Sequence, residues 1–234
     1  MKNDIDRKGI ILTQLSAFWF ELFKTVLPTV RTHYLHTGLP PAVEARLPPE
    51  LARALQPRCM TVRRLKVLPL ESIVRGYITG SAWSSYREDG TVHGVRLPAG
   101  LQESQKLEPP MWTPSTKAAA GGKDENISRA AAAAIVGQRH ADEIERLSLR
   151  LYAEANAHAA RRGIILADTK FEFALDETTE PPSVVLVDEV LTPDSSRFWS
   201  AADHEVGRAQ DSFDKQFLRG ESPASCARGR ESRD

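Results

Sequence analysis

The strongest structural signal in this sequence is a pair of strand-like runs on either side of a turn-rich segment. In the first run, residues 164–176 (IILADTKFEFALD), polar and apolar side chains alternate from residue 168 onward. The second run, residues 184–188 (VVLVD), is apolar and ends in an acid. Between them, ETTEPPS is rich in turn-forming residues. This pattern predicts an antiparallel hairpin, because consecutive side chains of a strand point to opposite faces.

The first strand of this hairpin has one charged and one aromatic face. Asp168, Lys170 and Glu172 share one face, and Phe171 and Phe173 share the other. The aromatic face is predicted to pack in the core. The charged face either borders solvent or forms a functional site, and the alternation alone does not decide between the two.

The register of the hairpin predicts that two carboxylates meet. A turn centred near Glu180 places Glu172 opposite Asp188, since facing residues of an antiparallel pair have a constant index sum. Neighbouring carboxylates repel each other unless a cation or a proton lies between them. Mg²⁺ is a common partner, held by one or two carboxylates while phosphate oxygens complete its shell. The alternative is that both acids lie at a wet sheet edge.

Two other segments have the composition of an anion-binding site. Residues 74–83 (VRGYITGSAW) place Arg75 and Ser81 around a glycine-flanked turn, and residues 192–199 (TPDSSRFW) place Arg197 after the second strand. Glycines let backbone N–H groups approach an anion, and arginine and serine side chains add donors. Taken singly, each segment favours an ordinary turn that carries a surface arginine.

The remaining sequence predicts an α+β fold in which helices pack on one side of an antiparallel sheet. The predicted helices are residues 13–26 with Thr13 as N-cap, 48–55, a helix capped by Ser128, and 139–162 stopped by Gly163. Strands are predicted at 60–68 and 71–77, separated by Pro69. Residues 87–127 lack periodicity, residues 211–219 predict a helix start or a loop, and the polar tail predicts disorder.

Composition limits the classes of function. The chain has 234 residues with 31 basic and 31 acidic side chains, so a net charge of zero argues against nucleic-acid binding. Neither a signal peptide nor an apolar run long enough to span a bilayer is present in the sequence, so no membrane partner is expected. Cys59 and Cys226 form no disulfide framework, which favours the cytoplasm. The oligomeric state is not specified by the sequence.

Several long motifs resemble one enzyme family. They are PLESIVRGYITGSAWSSY, GTVHGVRLPAGLQESQKLEPPMWTPSTKA, DENIS, GIILADTKFEFALD, VLVDEVLTPDSSRFW and QDSFDKQFLR. Through these motifs, residues 5 to about 219 resemble phosphoribosylaminoimidazole-succinocarboxamide synthase, also called SAICAR synthetase, of the fungal type. The resemblance implies a ligase of purine biosynthesis that joins L-aspartate to 5-amino-1-(5-phospho-D-ribosyl)imidazole-4-carboxylate, here called the ribotide. ATP activates the ribotide carboxylate as an acyl phosphate.

The resemblance also implies roles for individual residues. Glu172 and Asp188 would position Mg²⁺ on the phosphates of ATP. The ribotide phosphate would be held by Arg75, Ser81 and Arg197, with Lys215 and Arg219 nearby as further substrate-binding residues. Asp168, Lys170 and Asp194 would line the reacting centre. Residues 62–68 would resemble the hinge against which adenine lies.

The chain also departs from the family pattern. Family members carry segments similar to GKVRDIY and TDRISAYD before the region where this sequence begins, and they continue differently after DKQFLR. The departure implies an incomplete N-terminal ATP lobe in residues 1–68, a ribotide- and metal-binding region in 69–219, and a non-family tail in 220–234. We therefore expect weak or absent turnover. The alternative hypothesis is a non-catalytic fragment that binds the ribotide or a nucleotide. A kinase-like phosphotransferase is disfavoured because H-R-D and D-F-G signatures are lacking.

Overall fold

The computed structural model describes residue 5, residues 7–117 and residues 124–213. These residues form a mixed fold of helices and antiparallel strands, as the sequence predicts. The helices are α1 (Lys8–Val26), α2 (Pro41–Glu44), α3 (Pro49–Leu55), α4 (Gly80–Asp89), α5 (Arg129–Val136) and α6 (Gln138–Ala160), with a 3₁₀ turn at Gln56–Arg58. The strands are β1 (Tyr34–Thr37), β2 (Met60–Val62), β3 (Lys66–Tyr77), β4 (Thr91–Val92), β5 (Val95–Arg96), β6 (Lys106–Trp112), β7 (Ser115–Thr116), β8 (Ile164–Asp176), β9 (Ser183–Val187) and β10 (Ser196–Ser200).

The main sheet is open and has six strands. Its path runs β10-β8-β3-β6, with β7 also paired to β3 and β9 also paired to β8. The pairs β1-β2 and β4-β5 are separate two-stranded ribbons. All of these strand pairs are antiparallel. β8 is therefore a central strand, with paired strands along both of its edges.

The predicted β8–β9 hairpin is confirmed, but the predicted register is wrong by one residue. Glu172 pairs with Val187 rather than with Asp188, which follows the strand. Asp188 has a φ of +63°, so the chain turns away as soon as β9 ends. A one-residue change of register normally moves a side chain to the other face of a sheet. This turn instead brings the Asp188 carboxylate back to the charged face.

The predicted faces of β8 are confirmed. Phe171 is fully buried and Phe173 is 1% exposed in the core. α5 and α6 pack on this side, and α6 contributes Ile144 and Leu151 to the same cluster. The charged face is not a solvated edge, since Glu172 is only 3% exposed. A buried charged face must be neutralised by partners, and these partners form the candidate site.

Several predicted boundaries differ from the structure. α1 begins at Lys8 and not at Thr13, which lies inside the helix with 8% exposure and does not cap it. Pro69 does not split the strand, because β3 runs through it where the pairing with β8 is interrupted. Ser128 caps α5 by accepting a hydrogen bond from a backbone N–H, as predicted. Gly163 follows α6 with a φ of +71°, in agreement with its predicted role as a stop.

The stretch 87–127 contains more structure than its sequence predicts. β4 to β7 all lie within it, and β6 is an edge strand in which Pro109 and Pro110 are tolerated. Most of residues 211–219 and the predicted tail 220–234 lie outside the described residues. Over the described ranges, the structure holds no helix that is both long and apolar enough to cross a membrane.

Candidate active site

Three neighbouring strands place a row of charged side chains on the face opposite α6. Asp168 on β8 pairs with Arg75 on β3 and with Arg197 on β10, so the carboxylate lies between two guanidinium groups. Arg197 donates through Nε to Asp168 Oδ1 at 3.0 Å, and its Nη2 lies 2.9 Å from Oδ2. This is a bidentate pair, which fixes both orientation and charge. Arg75 Nη1 donates to Asp168 Oδ2 at 3.3 Å.

Arg75 is anchored by two further contacts. Its Nε donates to Thr113 Oγ1 at 3.0 Å, and its Nη2 donates to Ser81 Oγ at 3.2 Å. Only 3% of Arg75 is exposed, and burial lowers the pKa of its guanidinium against the raising effect of Asp168. Arginine nevertheless remains charged in proteins. The structure thus holds a fixed positive charge beside the start of α4.

The N-terminus of α4 completes an anion site. The helix begins at Gly80 and Ser81, so its first backbone N–H groups have no acceptor within the helix. Gly80 has a φ of +56°, and a Cβ placed there would lie 2.3 Å from Arg197 Nη1. A side chain at this position would therefore strain the backbone and displace the guanidinium. Two arginines, a serine hydroxyl and a helix N-terminus converge here, which is the set of donors that binds a phosphate dianion.

A second cluster lies further along β8 on the same face. Lys170 Nζ lies 2.7 Å from Glu172 Oε1, 3.3 Å from Asp188 Oδ2 and 3.4 Å from Glu71 Oε1. Lys117 donates to the other carboxylate oxygen of Glu172. Asp168 and Glu172 are four residues apart on one strand, so the two clusters are separated by roughly 13 Å. This spacing suits a substrate whose phosphate and reacting carboxylate occupy different ends.

The charges of the second cluster stabilise one another. Burial alone would lower the pKa of the Lys170 ammonium, but the hydrogen bond to Glu172 and the charges of three carboxylates raise it. Burial would raise the pKa of Glu172, but hydrogen bonds from Lys117 and Lys170 lower it. For Glu71, burial raises the pKa despite the lowering effect of Lys170. Lys170 and Glu172 are therefore both charged near neutral pH.

The donor set of this cluster fits a magnesium ion. The Glu172 and Asp188 carboxylates both contact the Lys170 ammonium, so they converge on one cation position. Among the residues that the structure describes, no group of three or more His, Cys, Asp or Glu is arranged as a complete metal cage. Mg²⁺ is usually bound by one or two carboxylates, water and substrate phosphates rather than by an all-protein cage. Two converging carboxylates beside an open cavity meet that requirement.

The cavity beside this cluster has a volume of about 290 Å³. It is lined by Glu172, Asp188, Lys117 and His33, and by Val62, Arg63, Arg64, Leu65 and Val67 from the connection between β2 and β3. The backbone of His33 bridges two elements, because its N–H donates to Leu186 and its carbonyl accepts from Arg63. One side of the cavity thus combines valine and leucine side chains with two arginines, and the other carries two carboxylates. The first side suits an apolar ring, and the second suits a cation.

The other predicted site residues are located differently. Asp194 lies in the loop after β9, and its carboxylate is 2.8 Å from Lys8 Nζ at the start of α1. The backbone N–H of Lys170 donates to Ser195, so this loop lies against β8. Lys215 and Arg219 lie outside the described residues.

Four residues of the two clusters are not identified from the sequence. Glu71 lies four residues before Arg75 on β3, so the two side chains share one face of the strand. The strand alternation could therefore have identified Glu71. Thr113 and Lys117 lie in a stretch without periodicity, and His33 lies just before β1. Each of these three reaches the site through contacts distant in sequence, so no local pattern marks them.

Comparison with known proteins identifies the family. The sequence profile described as SAICAR synthetase matches residues 1–232. The chain belongs to the SAICAR synthetase family. The phosphoribosylaminoimidazole-succinocarboxamide synthase of Cyberlindnera jadinii is 54% identical over 224 residues, which cover 94% of this chain and 71% of that protein. The Saccharomyces cerevisiae enzyme is 49% identical over 224 residues, covering 94% of this chain and 72% of that protein. SAICAR synthetases are ligases of purine biosynthesis, which agrees with the sequence resemblance.

Solved structures of SAICAR synthetases share the fold. The structure titled SAICAR-synthase from Saccharomyces cerevisiae complexed SAICAR superposes with a TM-score of 0.84 at 46% identity, covering 99% of this chain and 75% of that chain. A structure titled SAICAR synthetase (Type-2) in complex with ADP gives a TM-score of 0.69 at 26% identity, covering 93% of this chain and 75% of that chain. The fold class inferred from the sequence is thus confirmed.

Proposed function

We propose that this chain binds ATP, Mg²⁺, L-aspartate and the ribotide, and joins aspartate to the ribotide carboxylate with release of ADP and phosphate. The observation that carries the proposal is the presence of two complementary clusters on one face of the sheet. One cluster, around Arg75 and Arg197, has the donors for a phosphate dianion. The other, around Glu172 and Asp188, lies at a cavity suited to a nucleotide. Related structures solved with SAICAR and with ADP support the same pair of ligands.

The two clusters have different roles in the reaction: one binds the ribotide phosphate, and the other contacts the phosphates of ATP. Arg75, Arg197, Ser81 and the start of α4 bind the ribotide phosphate and so fix the position of its carboxylate along β8. Asp168 is a positioning residue, since both of its oxygens are engaged by guanidinium groups. Residues 62–67 form the wall against which the adenine of ATP packs, and Lys117 and Lys170 neutralise charge on the phosphates.

The metal position belongs to Glu172 and Asp188. When bound, Mg²⁺ supplies charge neutralisation for the transferring phosphoryl group. Transfer of the γ-phosphoryl group converts the ribotide carboxylate into an acyl phosphate, and the amine of aspartate then displaces phosphate to form an amide. Lys170 lies on the same face as Asp168 and is the side chain best placed to contact the acyl phosphate oxygens. Asp194 lies nearby in the loop that contacts β8 and lines the reacting centre.

The domain assignment follows from these roles. We propose that residues 1–68 contribute to an ATP-binding lobe and that residues 69–219 hold the ribotide and the metal. The relatives are longer than this chain, which covers 71% and 72% of the two fungal enzymes. The alternative function is binding of the ribotide or nucleotide without turnover, and the test below separates it from catalysis.

The test is ADP release by the purified chain with ATP, Mg²⁺, ribotide and L-aspartate. We expect slow release at most, and only when all four are present, and the product should have the mass of the succinyl amide. The exposed pair Lys106–Glu108 offers a control, because Glu108→Gln removes a carboxylate that pairs with Lys106 and not with a residue of either cluster. Release that does not depend on aspartate would refute the ligase function. Ribotide binding by calorimetry without any ADP release would establish the alternative.

A further inference from the structure

The ammonium of Lys170 occupies the position where the metal carboxylates converge. It contacts one oxygen each of Glu172, Asp188 and Glu71, at 2.7, 3.3 and 3.4 Å. These acids come from two strands and from the turn after β9, so the ammonium is the common partner of three separate segments. Its side chain is 24% exposed and reaches the cluster from the floor of the site.

The charge balance of the cluster depends on this ammonium. Three carboxylates (Glu71, Glu172, Asp188) and two ammonium groups (Lys117, Lys170) leave a net charge of −1, counting three negative and two positive groups. Without Lys170 the net charge becomes −2. Carboxylates held this close together are stable only with a cation between them. In the structure that cation is part of the chain.

An ammonium and a divalent metal cannot share this position. Mg²⁺ binds oxygens at about 2.0–2.1 Å, which is shorter than the 2.7, 3.3 and 3.4 Å that separate the Lys170 ammonium from these oxygens. Two cations within these distances of Glu172 and Asp188 would also repel each other. A metal ion that takes the Glu172 and Asp188 oxygens held by Lys170 must therefore displace this ammonium.

We propose that Lys170 acts as a tethered counter-ion, filling the metal position until Mg²⁺ arrives together with ATP. This inference rests on the proposed function of the site. A divalent ion alone must compete with an intramolecular ammonium of high effective concentration. The metal–nucleotide complex meets a smaller barrier, because its phosphates offer Lys170 new charge-assisted partners while completing the metal shell. Metal and nucleotide therefore bind cooperatively, and the coupling is reciprocal.

The decisive measurement is Mn²⁺ binding to the nucleotide-free chain by electron paramagnetic resonance. Lys170→Met should tighten Mn²⁺ binding by about tenfold or more, because it removes the competing ammonium and changes the net charge of the cluster from −1 to −2. The matched control is Lys106→Met, which removes a lysine from an exposed pair with a single carboxylate. This control should bind Mn²⁺ as the wild type does. Adding Asp188→Asn to Lys170→Met should abolish the gain, which locates the ion.

The second measurement is the effect of ADP on Mn²⁺ affinity. In the wild-type chain, ADP should tighten Mn²⁺ binding markedly, and in Lys170→Met the factor should be several-fold smaller. If Lys170 had only a structural role, its substitution would not raise the Mn²⁺ affinity of the nucleotide-free chain and at the same time reduce the factor by which ADP tightens Mn²⁺ binding. Melting curves report whether each variant is folded. If Lys170→Met does not fold, the same two measurements are made with Lys170→Gln.

Two outcomes overturn the inference. One is a Lys170 variant that binds Mn²⁺ no more tightly than the wild type without nucleotide, and the other is a coupling factor unchanged by the substitution. Either result can occur while the wild-type chain still releases ADP with aspartate, so the ligase function would survive. Conversely, tighter Mn²⁺ binding in Lys170→Met together with a wild-type chain that has no ligase activity supports the exchange and contradicts the proposed function.

Discussion

Replacing Asp168 by asparagine removes the charge that holds the two arginines together. The side chain is 8% exposed and its neighbour Arg75 is 3% exposed, whereas Arg197 is 23% exposed. Removing one partner of a buried ion pair costs about 3–5 kcal/mol. The lower end of this range applies here, because the Arg197 side chain is partly exposed to solvent and asparagine keeps one acceptor oxygen. We therefore expect Asp168→Asn to lower the free energy of unfolding by about 3 kcal/mol.

This cost corresponds to a large change in melting temperature. For a chain of this size, 1 kcal/mol shifts the midpoint by about 2–4 °C, so the expected decrease is about 6–12 °C. The assay is thermal unfolding followed by circular dichroism, with urea denaturation as a check on reversibility. The control is Asp176→Asn, which removes a carboxylate that is also buried, with 3% exposure. Asp176 pairs with one arginine, Arg63, whereas Asp168 pairs with two. Its decrease should be smaller.

Inorganic phosphate should distinguish the charge effect from a general loss of packing. Without the Asp168 carboxylate, Arg75, Arg197 and the start of α4 form an uncompensated positive site. A dianion that binds the folded state stabilises it in proportion to RT ln(1 + [L]/Kd). Phosphate should therefore raise the melting temperature of Asp168→Asn more than that of the wild type. A variant that melts within 2 °C of the wild type, or gains no more from phosphate, would refute the reasoning.

Three further changes test other parts of the site. Asp188→Asn should keep the fold, because the side chain is 41% exposed, but lower kcat by about 10²-fold or more, since it removes a charge that stabilises phosphoryl transfer; near-normal turnover at saturating Mg²⁺ would exclude a metal role. Arg75→Ala should raise the KM for the ribotide by about 10- to 100-fold, the equivalent of one lost charge-assisted contact, with the KM for ATP unchanged; equal losses for both substrates would place the arginine in the nucleotide site. Hydrogen bonds from Thr178 and Arg63 lower the pKa of Asp176 from 3.8 to about 2. A depressed folded-state pKa stabilises the fold above the unfolded pKa, and this contribution disappears as the pH falls toward 2. Urea denaturation should thus show a steeper loss of stability between about pH 5 and pH 2 in the wild type than in Asp176→Asn, and equal slopes would contradict the assignment.

Local sequence patterns determined the elements whose causes are local. The alternation along β8 separates Phe171 from Glu172, because strand geometry forces neighbours to opposite faces. Ser128 caps α5 and Gly163 follows α6 for equally local reasons, namely an unsatisfied backbone N–H and a left-handed conformation. The family motifs added the expected ligands and roles.

Only the tertiary structure decided which residues meet. Arg75 and Asp168 are 93 positions apart, and their pairing depends on the strand order of the sheet. The register of β9 differs by one residue from the symmetric expectation, and the left-handed Asp188 restores its carboxylate to the site. These features depend on strand order and on side-chain packing, and neither produces a periodic pattern in the sequence.

The same distinction explains the elements that the sequence pattern missed. Pro69 is tolerated within β3 because the ladder to β8 is interrupted beside it, so no N–H is required there. α1 extends five residues before Thr13 although no side chain caps its start. The sequence therefore specifies the faces and the chemistry of this protein. The position of Lys170 among three carboxylates is a product of long-range packing, because contacts between distant strands outweigh local preferences.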